Sequence, residues 1–137
     1  MRPQSVVERA TSPMRFSDAF EQMKKFVRMA KTELIVIDPY FADSVLPLIA
    51  QKRQGVAVIV VKSSRNRILH TTDVAAFNAL YANSLMVKTS NKFHYRFLII
   101  DKTVLVHVGA SLNYLGKKFF AFSSLDKSNI PDILAKI

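Results

Sequence analysis

The chain has 137 residues, half of them hydrophobic, and contains no cysteine. This length suits one domain with one core, and the lack of cysteine excludes disulfides and thiolate metal sites. Twenty Lys and Arg against ten Asp and Glu give a net charge of +10, which either aids solubility or indicates a polyanionic partner, nucleic acid or an anionic lipid surface.

Apolar segments of the chain are short. The longest are strand-sized, far below the ~20 residues of a membrane span. The first residues lack the apolar run of a signal peptide. We therefore expect a cytoplasmic protein without membrane insertion.

Predicted helices and strands alternate along the chain. Apolar residues recur at helical spacing between residues 16 and 30, and later runs rich in Val and Ile are typical of buried strands. In chain order, we predict an N-terminal arm at 1–14, a helix at 16–30, a strand at 33–38, a helix from 43 or 44 to about 53, a strand at 56–61, a helix near 72–82, strands at 85–88, 93–100, 104–108 and 119–123, and a closing helix at 129–137. This order indicates one α/β domain over 1–137, with a mixed sheet flanked by helices on both faces.

Residues 91–101 carry side chains suited to binding a phosphodiester. Side chains alternate between the two faces of a strand, so His94 and Arg96 are predicted to point the same way. A guanidinium neutralises and orients phosphoryl oxygens, while an imidazole beside it can attack phosphorus or move a proton. After the next strand, Ser111 and Asn113 offer neutral hydrogen-bond donors to the same phosphate.

These residues resemble the signature of the phospholipase D superfamily. His94-x-Arg96-x4-Asp101 and then Gly109-Ala-Ser111-Leu-Asn113 are similar to the family motifs H-x-K-x4-D and G-S-x-N, with arginine replacing lysine and an alanine inserted after the glycine. The segments 33–41 and 55–63 are similar to the first two core strands of such domains. The resemblance implies a phospholipase D-like α/β sandwich. Members with one motif per chain are typically nucleases that pair two copies across a homodimer.

The resemblance also implies a role for each motif residue. His94 would be the nucleophile that forms a phosphohistidine, and His94 of the second copy would protonate the leaving oxygen and then activate water. Arg96 would grip the phosphate, with further hydrogen bonds from the two neutral donors. Asp101 would mainly brace its loop, and Asp126 is our candidate for the acidic residue that orients the nucleophile. This chemistry requires no metal and no cofactor.

Basic residues near the motif are candidates for contact with a nucleic-acid backbone. We predict that Lys117 contacts phosphate and that Lys118 follows the backbone. Lys62, Arg65 and Arg67 follow the second predicted strand. They either grip the backbone as well or form an ordinary solvated loop.

Other notable residues are predicted to have structural roles. Asp38 precedes a proline at the end of a strand and is expected to cap a turn. His70 and His107 are expected to be structural or on the surface, and histidines without clustered carboxylates or cysteines do not indicate a zinc site. The aromatic run at 119–122 is expected to pack in the core rather than stack on bases.

Three functions follow from these observations. The first is a metal-independent phosphodiesterase, a nuclease of poor sequence specificity that works as a homodimer. The second is a catalytically degraded domain of the same fold that binds nucleic acid or a protein partner without cleavage. The third, a lipid phosphodiesterase, is disfavoured because the sequence shows no second motif and no interfacial amphipathic helix.

Overall fold

A computed structural model describes the backbone of residues 16–114 and 121–137 and the side chains of 18–113 and 121–137. Helices and strands alternate in the first part of the chain, as predicted. They are α1 (Phe16–Met29), β1 (Glu33–Ile37), α2 (Leu46–Ile49), β2 (Ala57–Lys62), α3 (Thr71–Leu80), β3 (Leu85–Thr89), β4 (Arg96–Ile100), β5 (Val104–Val108), β6 (Phe122–Leu125) and α4 (Ile130–Leu134). Short 3-10 turns lie at Asp43–Val45, Leu112–Tyr114 and Lys127–Asn129.

The strands form one six-stranded mixed sheet in the order β3-β2-β1-β4-β5-β6. β1, β2 and β3 run parallel, while β4 is antiparallel to β1 and each later neighbour pairs antiparallel as well. The carboxyl ends of β1, β2, β3 and β5 therefore meet the amino end of β4 at one edge of the sheet. We call this edge the site edge.

Apolar side chains cover both faces of the sheet. Alternate residues of β1 point to opposite sides, so Leu34 and Val36 join the larger core while Ile35 and Ile37 join the smaller one. The larger core packs against α1, α2 and α3, and the smaller one packs against α4. This arrangement confirms the predicted α/β sandwich. Within 16–114 and 121–137, no helix combines the length and apolar character that crossing a bilayer requires.

The strand predicted before the hairpin and the second predicted helix are shorter in the structure. The strand predicted at 93–100 begins at Arg96, because its neighbours β1 and β5 end at Ile37 and Val108 and leave residues 93–95 without a ladder partner. The second helix ends at Ile49, where the backbone tightens into bonds between residues three apart.

Near the C-terminus, the predicted elements are displaced. The strand predicted at 119–123 is β6, Phe122–Leu125, and residues 119 and 120 lie outside the described part of the chain. The closing helix is shorter than the predicted 129–137 and spans Ile130–Leu134. The N-terminal arm predicted at 1–14 also lies outside the described residues.

A tight hairpin joins β4 to β5, as predicted. Asp101 and Lys102 at its tip have φ angles of 51° and 56°, the conformation of a type I′ turn. The Asp101 carboxylate accepts hydrogen bonds at 2.8–3.2 Å from the backbone N–H groups of Lys31, Thr32 and Glu33 and from the Thr32 hydroxyl. These bonds, the one from Glu33 foremost, hold the pKa of Asp101 far below its ordinary value. Asp101 thus ties the hairpin to the start of β1.

Replacing Asp101 with Ala is expected to lower the free energy of unfolding by about 2 kcal/mol, because several donors lose a charged acceptor. The lowered pKa means that this stabilisation is present above the ordinary Asp pKa of 3.8 and is lost as the pH falls. Urea unfolding should show that the difference in the free energy of unfolding between wild type and Asp101→Ala is smaller at pH 3 than at pH 7. Glu21→Ala, on exposed α1 surface, is the control for loss of a carboxylate. An equal difference in the free energy of unfolding at both pH values would contradict a stabilising role for the charged Asp101 carboxylate.

Candidate active site

The site edge gathers polar residues from four separate segments. They come from the turn after β1, the loop after β2, the loop between β3 and β4 and the loop after β5. In open α/β sheets, ligands bind at the carboxyl ends of parallel strands, which is the position of this edge. The segments are far apart in the sequence, and the strand order brings them together.

A cavity of about 400 Å³ opens at the site edge. Its lining contains His94 and Arg96, the pair predicted to hold a phosphodiester, together with the loop residue Arg65. Among the described residues, this lining includes no carboxylate. Two guanidinium groups without a facing acid make a cavity suited to an anion. Its lining also includes Tyr40, Ser63 and Asn91.

His94 lies in the loop before β4 and not on the strand, so the argument from strand alternation was wrong for this residue. The imidazole nevertheless reaches the same cavity as Arg96. His94 is exposed, and within the described ranges its ring makes no hydrogen bond or ion pair. Both ring nitrogens are therefore available to a ligand.

Arg96 is the first residue of β4 and is anchored from one side. Its Nη2 donates to the carbonyl oxygen of Gly109 at 3.1 Å. Its Nε is buried and has no hydrogen-bond partner in the described part of the chain. A guanidinium has five N–H donors in a fixed fork, so this anchor orients the group and leaves donors for an anion.

Asp38 lies fully buried beneath the site edge. One carboxylate oxygen accepts from the Ser111 hydroxyl at 2.8 Å and from the Leu112 N–H at 2.9 Å, and the other accepts from the Tyr40 N–H at 3.1 Å. Burial raises the pKa of Asp38, and these hydrogen bonds and the Arg96 charge oppose the shift. The predicted turn cap is confirmed by the bond to Tyr40. Sequence reasoning missed that Asp38 also holds the loop after β5.

Ser111 and Asn113 make hydrogen bonds within the protein. Ser111 is 1% exposed and its hydroxyl proton goes to Asp38. Asn113 accepts a hydrogen bond from the Ser44 hydroxyl at 3.0 Å, and its backbone N–H donates to Ser111. Both residues position the loop at the site edge. Their contact with phosphate stays a prediction.

The structure does not bring Asp101 and Asp126 to the cavity. Asp101 directly follows β4 and lies five positions after Arg96, which is about 16 Å along the strand at a rise of ~3.3 Å per residue. Asp126 follows β6, and Leu125 pairs with Leu105 near the opposite edge of the sheet. Its carboxylate accepts from the Ser128 N–H at 2.9 Å and caps a 3-10 turn. In this geometry both side chains organise turns.

The basic residues after β2 divide between two environments. Lys62 donates to the carbonyl oxygen of Asn66 at 3.3 Å, and Arg67 donates to that of Ser64 at 2.8 Å, so both stabilise their own loop. Arg65 lines the cavity instead. Lys117 and Lys118 lie outside the described residues.

Tyr40 and Asn91 are among the lining residues that the sequence analysis missed. Tyr40 is 56% exposed at the cavity and lies within the turn that Asp38 caps. The Asn91 side chain accepts from the Ser64 N–H at 3.0 Å and donates to the Ser64 hydroxyl at 2.8 Å, which fixes the loop after β2 against the end of β3. The position of both at strand carboxyl ends was the signal that could have identified them.

A separate titratable cluster lies at the start of α3. The ring of His70 contacts Asp43 in a short hydrogen bond, and a ligand atom of Asp73 lies within 4.8 Å of both. The hydrogen bond to Asp43 raises the pKa of His70. The prediction that the histidines lack clustered carboxylates was therefore wrong for His70, although its surface position is confirmed. His107 is half-buried, and burial lowers its pKa.

No protein-family model and no curated protein matches this chain. Several solved structures, however, are similar to it. Nuc from Salmonella typhimurium, a phospholipase D family member, aligns with a TM-score of 0.60 at 17% identity over 84% of this chain and 81% of its own. NucT from Helicobacter pylori aligns with a TM-score of 0.61 at 14% identity over 88% and 85%.

A third similar structure is TrmBL2, an archaeal chromatin protein described as showing a novel mode of DNA binding. It aligns with a TM-score of 0.60 at 15% identity over 97% of this chain and 52% of its own. The chain thus spans about half of that protein. At such identities the likeness concerns the backbone. The mixed sheet with helices on both faces is the fold that this chain shares with Nuc and NucT.

Proposed function

We propose that the protein is a metal-independent phosphodiesterase, a nuclease of poor sequence specificity. The observation that carries this proposal is the shared cavity of His94 and Arg96, an unbonded imidazole beside an anchored guanidinium. Arg65 adds a second positive charge to the same lining. The net charge of +10 favours a polyanion over a neutral substrate.

The chemistry needs imidazole and guanidinium groups. A ring nitrogen of His94 attacks phosphorus, the bond from phosphorus to the leaving oxygen breaks, and that oxygen takes a proton from a second imidazole. The second imidazole then removes a proton from water, which attacks the phosphohistidine and releases His94. Arg96 and Arg65 stabilise the charge that develops on the phosphoryl oxygens throughout.

The second imidazole in this proposal is His94 of another copy of the chain. His70 belongs to the cluster at α3 and does not line the cavity, so within one copy no second exposed histidine of the described residues fills the role. The exposure of His94 favours such an arrangement, because an exposed ring can face its counterpart. Sedimentation at twice the mass of one chain is the expected behaviour.

Purified wild-type protein is expected to cleave plasmid, single-stranded DNA and RNA in the presence of EDTA. Cleavage should weaken as the salt concentration rises, because each phosphate contact releases condensed counterions. Acid-soluble nucleotide release measures the activity, and filter retention of the same substrates measures binding. Retention of substrate without any cleavage would reject the phosphodiesterase.

The alternative is a domain that binds nucleic acid without cleaving it. Two observations favour it: the carboxylate predicted to orient His94 lies near the opposite edge of the sheet, and one similar structure is that of a DNA-binding protein. Under this alternative the two arginines of the cavity hold the backbone. The assay above separates the two functions directly.

A further inference from the structure

A second cavity, of about 410 Å³, adjoins the first. His94 and Phe93 line both of them. The remaining lining of the second cavity is largely aromatic and apolar, with two lysines. Cavities of this size hold small organic groups. The second cavity therefore offers an apolar chamber directly beside the candidate nucleophile.

We propose that this second cavity is a nucleobase subsite, which binds a base of the nucleotide next to the phosphodiester held by His94 and Arg96. The inference rests on the proposed function, since it takes nucleic acid as the ligand of the first cavity. His94 belongs to both linings, so a phosphate at its ring places the adjoining nucleotide at the entrance of the second cavity.

The aromatic side chains of this cavity supply surfaces on which a base can stack. The Tyr95 ring lies with its centre 5.7 Å from that of His107, and Phe97 lies at the same distance from His107 on the neighbouring strand. Tyr95 is 61% exposed, so most of its ring is open to a ligand. Every base has a π face, so such a surface binds bases without regard to sequence.

The charges around the cavity favour a nucleotide as its ligand. Lys92 and Lys136 belong to the lining, and the described residues add no carboxylate to it. A nucleotide brings anionic phosphate to these lysines together with its base. Burial and the Arg96 charge lower the pKa of His107, so its ring adds neutral stacking surface.

The test compares two fluorescein-labelled probes by anisotropy: a short oligothymidylate with phosphorothioate linkages, and an abasic strand of the same length and backbone. Wild type should bind the thymidylate probe more tightly. Tyr95→Ala should weaken binding of that probe by about tenfold and leave the abasic probe within about twofold, because one stacked base is lost. Tyr95→Phe keeps the ring and should match wild type. Leu80→Ala, at a 78% exposed site on α3, is the control for loss of an exposed apolar side chain.

Equal binding of the two probes by wild type would overturn the subsite, and that comparison needs no variant to fold. An equal loss on both probes in Tyr95→Ala would also overturn it. If that loss accompanies a change in sedimentation from two copies to one, the cavity is an interface between copies. Tyr95-dependent binding of thymidylate without cleavage of any substrate keeps the subsite and rejects the phosphodiesterase. Cleavage of substrate together with unchanged thymidylate binding by Tyr95→Ala keeps the phosphodiesterase and rejects the subsite.

Discussion

The His94→Ala variant is expected to lose cleavage of every nucleic-acid substrate, with kcat reduced at least about 1,000-fold. His94 is the proposed nucleophile, and no other histidine of the described residues lines the cavity with Arg96. The free energy of unfolding should stay near that of wild type, because the exposed ring makes no hydrogen bond within the described ranges. Substrate binding should persist through the two arginines.

Release of acid-soluble nucleotide in EDTA and urea unfolding measure these two effects. His70→Ala is the matched control, since it also removes an exposed imidazole but lies in the cluster at α3. Its cleavage rate should remain close to that of wild type. Cleavage by His94→Ala within about tenfold of the wild-type rate would reject His94 as the nucleophile.

Replacing Asp38 with Ala is expected to lower the free energy of unfolding by about 3 kcal/mol. The substitution leaves the Ser111 hydroxyl and the Leu112 and Tyr40 N–H groups without an acceptor in a site from which water is excluded. It also frees the loop after β5, whose Gly109 carbonyl anchors Arg96. Cleavage by the folded fraction should fall as well, because the guanidinium loses its fixed orientation.

Asp38→Asn separates hydrogen bonding from charge. Its carbonyl oxygen can still accept from Ser111 and Leu112, which share one oxygen of Asp38, while its NH2 group faces the Tyr40 N–H. We expect a loss of about 1 kcal/mol, the value of one hydrogen bond. Urea unfolding measures both variants. Equal losses of unfolding free energy in Asp38→Ala and Asp38→Asn would show that the charge of Asp38 contributes more to stability than its hydrogen bonds do.

The pH dependence of Asp38 has the opposite sign from that of Asp101. Burial raises the pKa of Asp38, so the folded state holds this proton more tightly than the unfolded state does. Its contribution to stability is therefore greatest below the ordinary Asp pKa of 3.8 and declines as the pH rises through the raised value. Asp38→Asn does not titrate and should lack this decline.

Much of the fold could be predicted from local patterns. Strands covered on both faces are continuous runs of apolar residues, which is why the predictions for β1, β2 and β5 lie within one residue of the observed bounds. The tip of the β4–β5 hairpin was also identifiable, since Asp101 is among the residue types that tolerate a positive φ. Local sequence patterns were therefore enough to predict these elements and their order along the chain.

The parts that failed depend on distant neighbours. His94 lies outside β4 because the neighbouring strands β1 and β5 end before they could pair with it. The alternation of residues within one segment does not reveal where the neighbouring strands end. The bond from Ser111 to Asp38 joins residues 73 positions apart, and no spacing rule relates them. Asp126 follows β6, and the direction of that strand in the sheet decides at which edge it lies.

The central position of β1 in the sheet has a consequence for folding during synthesis on the ribosome. One side of β1 pairs with β2, which follows soon after it, but the other side pairs with β4, which is synthesised only after β2, α3 and β3. Until then, one side of Leu34–Ile37 has no neighbouring strand, and its free backbone groups are open to pairing with other nascent chains. Because this pairing joins the neighbouring strands that lie farthest apart in the sequence, we expect it to be the slow step of folding.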